Sequence, residues 1–140
     1  MLEIDTNSEW GARVARRLRD ETMIWLTTVN ASGAPQPSAV WFLWYEGNVL
    51  IYSKPDMPKL RNIAQNPSVA LHFDGNGRGG DLIVITGKAE VGPQTPPADE
   101  MPAYVEKYAP NIAGNGWTPA QFAQMYSVAL WVTPLRARGH

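Results

Sequence analysis

Six short runs of β-branched and apolar residues, separated by turn residues, constrain the fold of this chain most strongly. They predict strands at 23–29, 38–45, 49–53, 68–73, 81–91 and 127–132. The intervening residues 30–33 form a turn by composition, and residues 46–48 tolerate the positive φ that tight hairpins require. Closely spaced antiparallel strands favour a closed or nearly closed sheet, because closure removes exposed edges. We therefore predict a mainly β fold, a six-stranded antiparallel β-barrel with flanking helices, in a single domain over residues 1–140.

Four helical segments accompany the predicted strands. Ser8 is placed to cap a first helix that runs to about Asp20, because its hydroxyl can accept from an unpaired amide of the first turn. Trp10, Val14 and Leu18 recur at every fourth position of that helix and share one face. Further helices are expected at 57–65, 103–108 and 119–125.

Composition excludes several classes of function. The chain has no cysteine and only two histidines, which are far apart, so a metal centre or a thiolate nucleophile is not expected. A formal charge of −1 provides no general attraction for nucleic acid. The sequence has no nucleophile motif and no phosphate-binding glycine fingerprint that opens a helix. With no signal peptide and no long apolar run, we expect a soluble cytoplasmic protein that does not enter a membrane.

The segment from residue 53 to residue 62 is the strongest candidate for a binding site. Ser53 ends a predicted strand, and the helix that follows opens with Lys59, Arg61 and Asn62. A helix N-terminus offers unpaired amides and a partial positive charge, to which these side chains add two cations and a hydroxyl. This pattern predicts a phosphate site, although the same lysine and arginine are also typical of an exposed helix face.

A set of short motifs follows in an order that indicates a family. The motifs are Pro37-Ser38-Ala39-Val40-Trp41-Phe42, Ser53, Lys59-x-Arg61-Asn62, Asn66-Pro67 and Thr133-Pro134-x-Arg136-x-Arg138-Gly139. With these motifs the chain resembles the pyridoxamine-phosphate-oxidase-like, FMN-binding split-barrel proteins, especially their deazaflavin (F420)-dependent oxidoreductase branch. The resemblance extends from about Thr22 to His140.

The resemblance implies a set of cofactor-binding residues. The cofactor phosphate would be held by Ser53, Lys54, Lys59, Arg61 and Asn62, and Leu60 would also contact the cofactor. The ring would lie along the second strand, in contact with Gln36, Pro37, Ser38, Ala39, Val40 and Trp41, mostly through backbone groups. Trp41 and Trp44 are typical of core or interface residues rather than of a cofactor stack. No catalytic side chain and no metal ligand is identified.

The resemblance also implies a reaction and a cofactor. Coenzyme F420 is the first candidate and FMN the alternative, with Arg78, Arg136 and Arg138 placed to meet the anionic tail of F420 or simply to be solvated. The C-terminus lacks the arginine and histidine signature of vitamin B6 oxidation.

The implied activity is hydride transfer to an unsaturated, hydrophobic organic acceptor, in a homodimer with the cofactor between subunits. Three alternatives remain: an FMN-dependent reductase, a non-catalytic carrier or haem- or tetrapyrrole-binding module of the same fold, or an interaction protein without a cofactor.

Overall fold

The computed structural model describes residues 2–140, and its centre is one seven-stranded antiparallel sheet. The strands are β1 (Ile24–Val29), β2 (Pro35–Val40), β3 (Leu43–Tyr45), β4 (Asn48–Ser53), β5 (Ser68–His72), β6 (Ile83–Val91) and β7 (Val128–Gly139). The helices are α1 (Glu9–Asp20), α2 (Pro58–Gln65), α3 (Pro102–Gly114) and α4 (Pro119–Met125), with a single 3-10 turn at Ala98–Glu100.

The order of the strands shows how the sheet curls. They lie side by side as β2-β1-β5-β6-β7-β4-β3, so β2 and β3 form the two edges although only two residues separate them in the chain. A flat sheet cannot bring its two edges that close, because neighbouring strands are about 4.8 Å apart. The sheet therefore curls into a half-barrel. The prediction of a mainly β, antiparallel barrel-like fold with flanking helices is confirmed.

The count of six strands was wrong, because the strand predicted at 38–45 is two strands. β2 begins earlier, at Pro35, and pairs with β1, whereas β3 pairs with β4. Between them, the backbone N–H of Phe42 donates to the hydroxyl of Tyr108 instead of to a neighbouring strand. The β3–β4 hairpin has the expected positive φ angles, 50° at Glu46 and 79° at Gly47.

The last strand is also longer than the predicted 127–132. β7 continues to Gly139 because Pro134 lies at an irregularity in its pairing with β6, where no backbone donor is needed. Gly87 pairs with Pro134 and Thr86 with Arg136, so Leu135 bulges out of the ladder. An added Cβ at Gly87 would collide with the carbonyl oxygen of Thr133, which explains the glycine at this position.

The barrel interior is filled by the first of two apolar clusters. Val14 and Leu18 of α1 are buried in it, and Trp10 packs against it, as their spacing predicts. The hydroxyl of Ser8 accepts a 2.9 Å hydrogen bond from the backbone N–H of Gly11 and caps α1 as expected. Ile63 of α2 enters the same cluster and fixes that helix against the barrel.

The second apolar cluster lies between the outside of β4 and β7 and the helices α3 and α4. α3 continues beyond the predicted 103–108 to Gly114 and contains Pro110 in its interior, although proline commonly ends a helix. The extension buries Tyr104, Tyr108 and Ile112, which are spaced by four residues along one face. Burial of this face stabilises α3 in spite of the proline.

Candidate functional site

A cleft of about 410 Å³ opens where β2 and β4 end, opposite the turn between α3 and α4. Its lining consists of Ala39, Val40, Trp41, Tyr52, Ser53, Lys54, Met57, Lys59, Asn115, Trp117, Phe122 and Tyr126. The cleft falls within the range of about 300–1,000 Å³ that is typical of small-molecule sites.

One side of the cleft is cationic. Lys54 and Lys59 contribute its only charged side chains, and no carboxylate is part of the lining. Among residues 2–140, neither lysine takes part in an ion pair. Lys59 is half-buried, and this burial lowers the pKa of its ammonium group below the usual value. A partly desolvated cation without a counter-ion favours the binding of an anion.

Ser53 lies beside these lysines at the end of β4. Its side chain is buried, and its hydroxyl donates a 2.8 Å hydrogen bond to the carbonyl oxygen of Lys54. The hydroxyl oxygen keeps its lone pairs, and rotation about Cβ–Oγ can turn its proton toward a ligand. α2 begins four residues after Lys54, with no side chain capping its first amides. The hydroxyl, the two ammonium groups and the helix start form a set of donors suited to a phosphate.

The other side of the cleft is aromatic. The ring of Phe122 stacks on Trp41 at a centroid distance of 5.4 Å and on Tyr126 at 4.6 Å. The Nζ of Lys54 lies 5.5 Å from the centroid of Tyr126, so the aromatic and cationic sides are in contact. Trp117 is half-buried and meets Phe122 and Tyr126 at tilted angles. This arrangement can accept a flat ring that carries an anionic group at one end.

The amino-acid sequence matches the pattern of a known family. The pattern of the family described as pyridoxamine 5'-phosphate oxidase matches residues 11–140 of the chain. The chain belongs to this family. Among curated proteins, none matches the chain significantly in sequence.

Solved structures with the same fold include several members of the pyridoxamine 5'-phosphate oxidase-like group. An F420 reductase is 23% identical, with a TM-score of 0.63 over 88% of this chain and 94% of that protein. HutZ, the haem storage protein of Vibrio cholerae, is 16% identical, with a TM-score of 0.62 over 90% and 92%. A FAD-binding protein of Mesorhizobium loti is 17% identical, with a TM-score of 0.62 over 88% of each chain. At these identities the likeness concerns the fold.

The structure brings together some of the residues that the family resemblance predicts as cofactor-binding. Those that line the cleft are Ala39, Val40, Trp41, Ser53, Lys54 and Lys59. Gln36, Pro37 and Ser38 lie earlier on β2, outside the lining, and the first two are exposed.

The remaining expected residues have other surroundings. Arg61 is exposed, and its guanidinium donates a 3.1 Å hydrogen bond to the carbonyl oxygen of Asp56. Asn62 is buried and donates to the hydroxyl of Thr28. Leu60 is half-buried outside the lining, and Arg78 lies exposed in the turn between β5 and β6. α2 therefore directs Lys59 toward the cleft, while Asn62 holds the helix to the sheet.

Several lining residues were not anticipated from the sequence. They are Tyr52, Met57, Asn115, Trp117, Phe122 and Tyr126. Phe122 and Tyr126 are spaced by four residues around the predicted helix 119–125, which indicates a shared apolar face. That pattern does not show that the face meets β2, because the contact joins segments about eighty residues apart in the chain. Burial raises the pKa of Tyr52 to about 12, so its hydroxyl stays protonated and donates to the carbonyl oxygen of Pro96.

A row of cross-strand partners leads from the cleft to a second basic region, which consists of Arg136 and Arg138 on β7. Ala39 of the lining pairs with Trp25, which pairs with His72, then Val84 and finally Arg138. Cross-strand partners share one face of a sheet, so these five side chains lie on the outer face of the half-barrel. Trp25 stacks on His72 with ring centroids 6.2 Å apart. Arg136 lies two residues before Arg138 on the same face, and among residues 2–140 neither arginine forms an ion pair.

None of the helices within residues 2–140 has the length and apolar character needed to cross a bilayer.

Proposed function

We propose that the chain is an oxidoreductase that holds the phosphate of a ribityl ring cofactor, coenzyme F420 in the first place, in the cationic side of the cleft. One observation carries the proposal: Lys59 is partly buried beside Ser53 and Lys54 in a cleft without any carboxylate. A ligand anion supplies the missing counter-charge. The phosphate is the anionic group common to F420 and FMN.

Different residues of the cleft bind the phosphate and the ring of the cofactor. Lys59, Lys54 and Ser53 hold the phosphate, and α2 begins beside them. Ala39 to Trp41 form the edge along which the ring lies, where backbone groups can bind its pyrimidine edge. When bound, the reduced ring supplies a hydride to an unsaturated acceptor.

The aromatic side of the cleft is suited to an apolar acceptor. Trp117, Phe122 and Tyr126 offer an uncharged aromatic surface beside Trp41, against which an apolar acceptor can pack. The ionisable groups of the lining are two lysines and two tyrosines, and within residues 2–140 no hydrogen bond joins any two of them. The protein therefore contributes orientation and an apolar surface, and the proposed cofactor contributes the reactive atom.

The outer face of the half-barrel favours F420 over FMN. F420 carries an anionic tail beyond the phosphate, and Arg136 and Arg138 have no acidic partner within residues 2–140. Arg138 is four strand spacings from Ala39, which is about 19 Å along the curled sheet. An extended tail can cover this distance along the outer face.

The same outer face supports a homodimer with the cofactor at the interface. Ala39 belongs both to this face and to the cleft lining, and Trp25 and His72 are only half-buried beside it. A second copy placed on this face would cover Trp25 and close the cleft at Ala39. Sedimentation of the protein at micromolar concentration tests this part of the proposal.

Binding experiments separate the proposal from its alternatives. The apoprotein is titrated with F420, FMN and haem, and the Lys59→Ala variant is compared with Lys88→Ala, whose ammonium group binds Ser68 away from the cleft. Charge-assisted hydrogen bonds contribute about 1.5–3 kcal/mol, so Lys59→Ala should weaken F420 and FMN binding about tenfold or more. Lys88→Ala should bind as the wild type does.

The outcomes distinguish the functions. F420 binding tighter than FMN, followed by oxidation of reduced F420 when enones or quinones are added, supports the oxidoreductase. Tighter FMN binding favours the FMN-dependent reductase. Haem binding without turnover of either reduced cofactor favours a carrier, and undiminished cofactor binding by Lys59→Ala contradicts the proposed phosphate site.

A further inference from the structure

The junction between β2 and β3 is held by two consecutive residues of α3. The N–H of Phe42 donates a 2.7 Å hydrogen bond to the hydroxyl oxygen of Tyr108. The carbonyl oxygen of Phe42 accepts a 2.9 Å hydrogen bond from the Nζ of Lys107 and lies 2.9 Å from the Tyr108 hydroxyl. That hydroxyl also lies 2.8 Å from the carbonyl oxygen of Thr22. The chain here leaves one sheet edge for the other, so α3 supplies the partners that a neighbouring strand would otherwise provide.

The same two residues contact the aromatic rings of the junction. Tyr108 stacks on Trp41 with a centroid distance of 4.8 Å and an angle of 8° between the ring planes. The Nζ of Lys107 lies 3.8 Å from the centroid of the Phe42 ring. Trp41 lines the cleft, whereas neither Lys107 nor Tyr108 does. α3 therefore restrains both the backbone and the ring at the edge of the cleft without reaching into it.

We infer that Lys107 and Tyr108 are positioning residues of the cleft, which fix the Trp41–Phe42 junction and thereby the position of the Trp41 ring in the cleft lining. The identity of the ligand in the cleft rests on the proposed function, but the positioning of Trp41 does not. Because Phe122 of α4 also stacks on Trp41, a shift of the junction moves the aromatic side of the cleft.

The charge on Lys107 makes this restraint sensitive to pH. Burial lowers the pKa of Lys107 to about 8, and the carboxylates of Asp20 and Glu21 at the end of α1 oppose that decrease. Burial raises the pKa of Tyr108, so its hydroxyl keeps its proton over the same range. On the strand side, the ammonium group of Lys107 contacts the carbonyl oxygen and the ring of Phe42, neither of which is ionisable. Above pH 8 the amine loses its charge, and its hold on that carbonyl weakens.

Fluorine NMR of protein labelled with 5-fluorotryptophan tests this inference without any cofactor. The six tryptophans give separate resonances, and Trp41→Phe identifies that of Trp41. Tyr108→Phe should move or broaden this resonance. Tyr104→Phe is the matched control, because Tyr104 lies on the same helix and its buried hydroxyl has no partner among residues 2–140. Lys107→Met serves as the second variant, since it keeps the aliphatic stem and removes the charge.

The expected results separate positioning from general stabilisation. The Trp41 resonance of the wild type should titrate with a midpoint near pH 8, and this titration should disappear in Lys107→Met. Tyr108→Phe should weaken FMN or F420 binding about tenfold, the loss of roughly one net hydrogen bond. A Trp41 resonance that stays unchanged in Tyr108→Phe and does not titrate in the wild type overturns the inference. A resonance that moves in a protein that binds neither cofactor supports positioning and contradicts the proposed function.

Discussion

The side-chain amide of Asn62 donates a 2.9 Å hydrogen bond to the hydroxyl of Thr28, and both groups are buried. This contact joins α2 to β1. Asn62 lies three residues after Lys59, so it holds α2 at the next turn from the lysine that lines the cleft. The contribution of Asn62 to the site is therefore through the position of the helix.

Replacing Asn62 with leucine should destabilise the protein by about 1–3 kcal/mol, because the Thr28 hydroxyl is left buried without its donor. Urea unfolding measures the change. The double variant Asn62→Leu with Thr28→Val should be less destabilised than the sum of the single variants, since both polar groups are then removed. Additive effects would show that the two groups do not interact in solution.

Arg17 of α1 holds both ends of the glycine-rich turn between β5 and β6. Its guanidinium donates to the carbonyl oxygens of Asp74 and Asp81 at 2.8 and 3.0 Å, and it pairs with the Asp81 carboxylate at 3.2 Å. Arg17→Met should cost about 1–3 kcal/mol, because the carbonyl oxygens of Asp74 and Asp81 lose a charged donor. Hydrogen exchange should accelerate across residues 74–81. The exposed Arg16→Met is the control, and equal stability of the two variants would refute this role.

The stability of the protein should depend on pH through Lys107. Its pKa is about 8 in the folded state and 10.5 for the exposed amine, so between these values the unfolded chain binds more protons. The free energy of unfolding of the wild type should therefore rise relative to Lys107→Met as pH increases from 8 to 9.5. The slope is at most about 1.4 kcal/mol per pH unit, and smaller because the side chain still reaches solvent. A difference that falls or stays constant over this range would contradict the assignment.

Gly87→Ala should disrupt the pairing of β6 with β7. The added methyl group would meet the carbonyl of Thr133, and backbone atoms there cannot move without breaking the ladder. We expect a loss of about 2 kcal/mol or more in thermal or urea unfolding, as for other overpacked sites. Gly114→Ala is the matched control, because nothing lies within 4 Å of its added Cβ and α3 gains a better helix former. Similar losses in both variants would contradict the explanation.

The sequence predicts the local elements well and the long-range contacts poorly. The spacing of Trp10, Val14 and Leu18 identifies α1 because each residue reports on its own helix. The split between β2 and β3 depends on Tyr108, which is 66 residues away from Phe42 in the chain. The hydroxyl of Tyr108 accepts a hydrogen bond from the backbone N–H of Phe42. No local pattern at Phe42 carries that information.

The same distinction applies to the candidate site. Ser53, Lys54 and Lys59 are close in sequence, and the strand-to-helix pattern predicts that they lie together. The opposite side comes from Phe122, whose contact with Trp41 depends on how α4 packs on the sheet, and from Tyr126, which stacks on Phe122. The motifs of the family resemblance lie around β2, α2 and β7, so they do not indicate the aromatic side that α4 supplies.

The most direct test of the phosphate site compares each cofactor with its phosphate-free form. Affinities of FMN and riboflavin, and of F420 and the corresponding deazaflavin without phosphate, are measured for the wild type and for Lys59→Ala. We predict that the wild type binds the phosphorylated form at least about tenfold more tightly, and that Lys59→Ala loses most of this preference. Equal affinity of the wild type for both forms, or an undiminished preference in Lys59→Ala, would contradict the account.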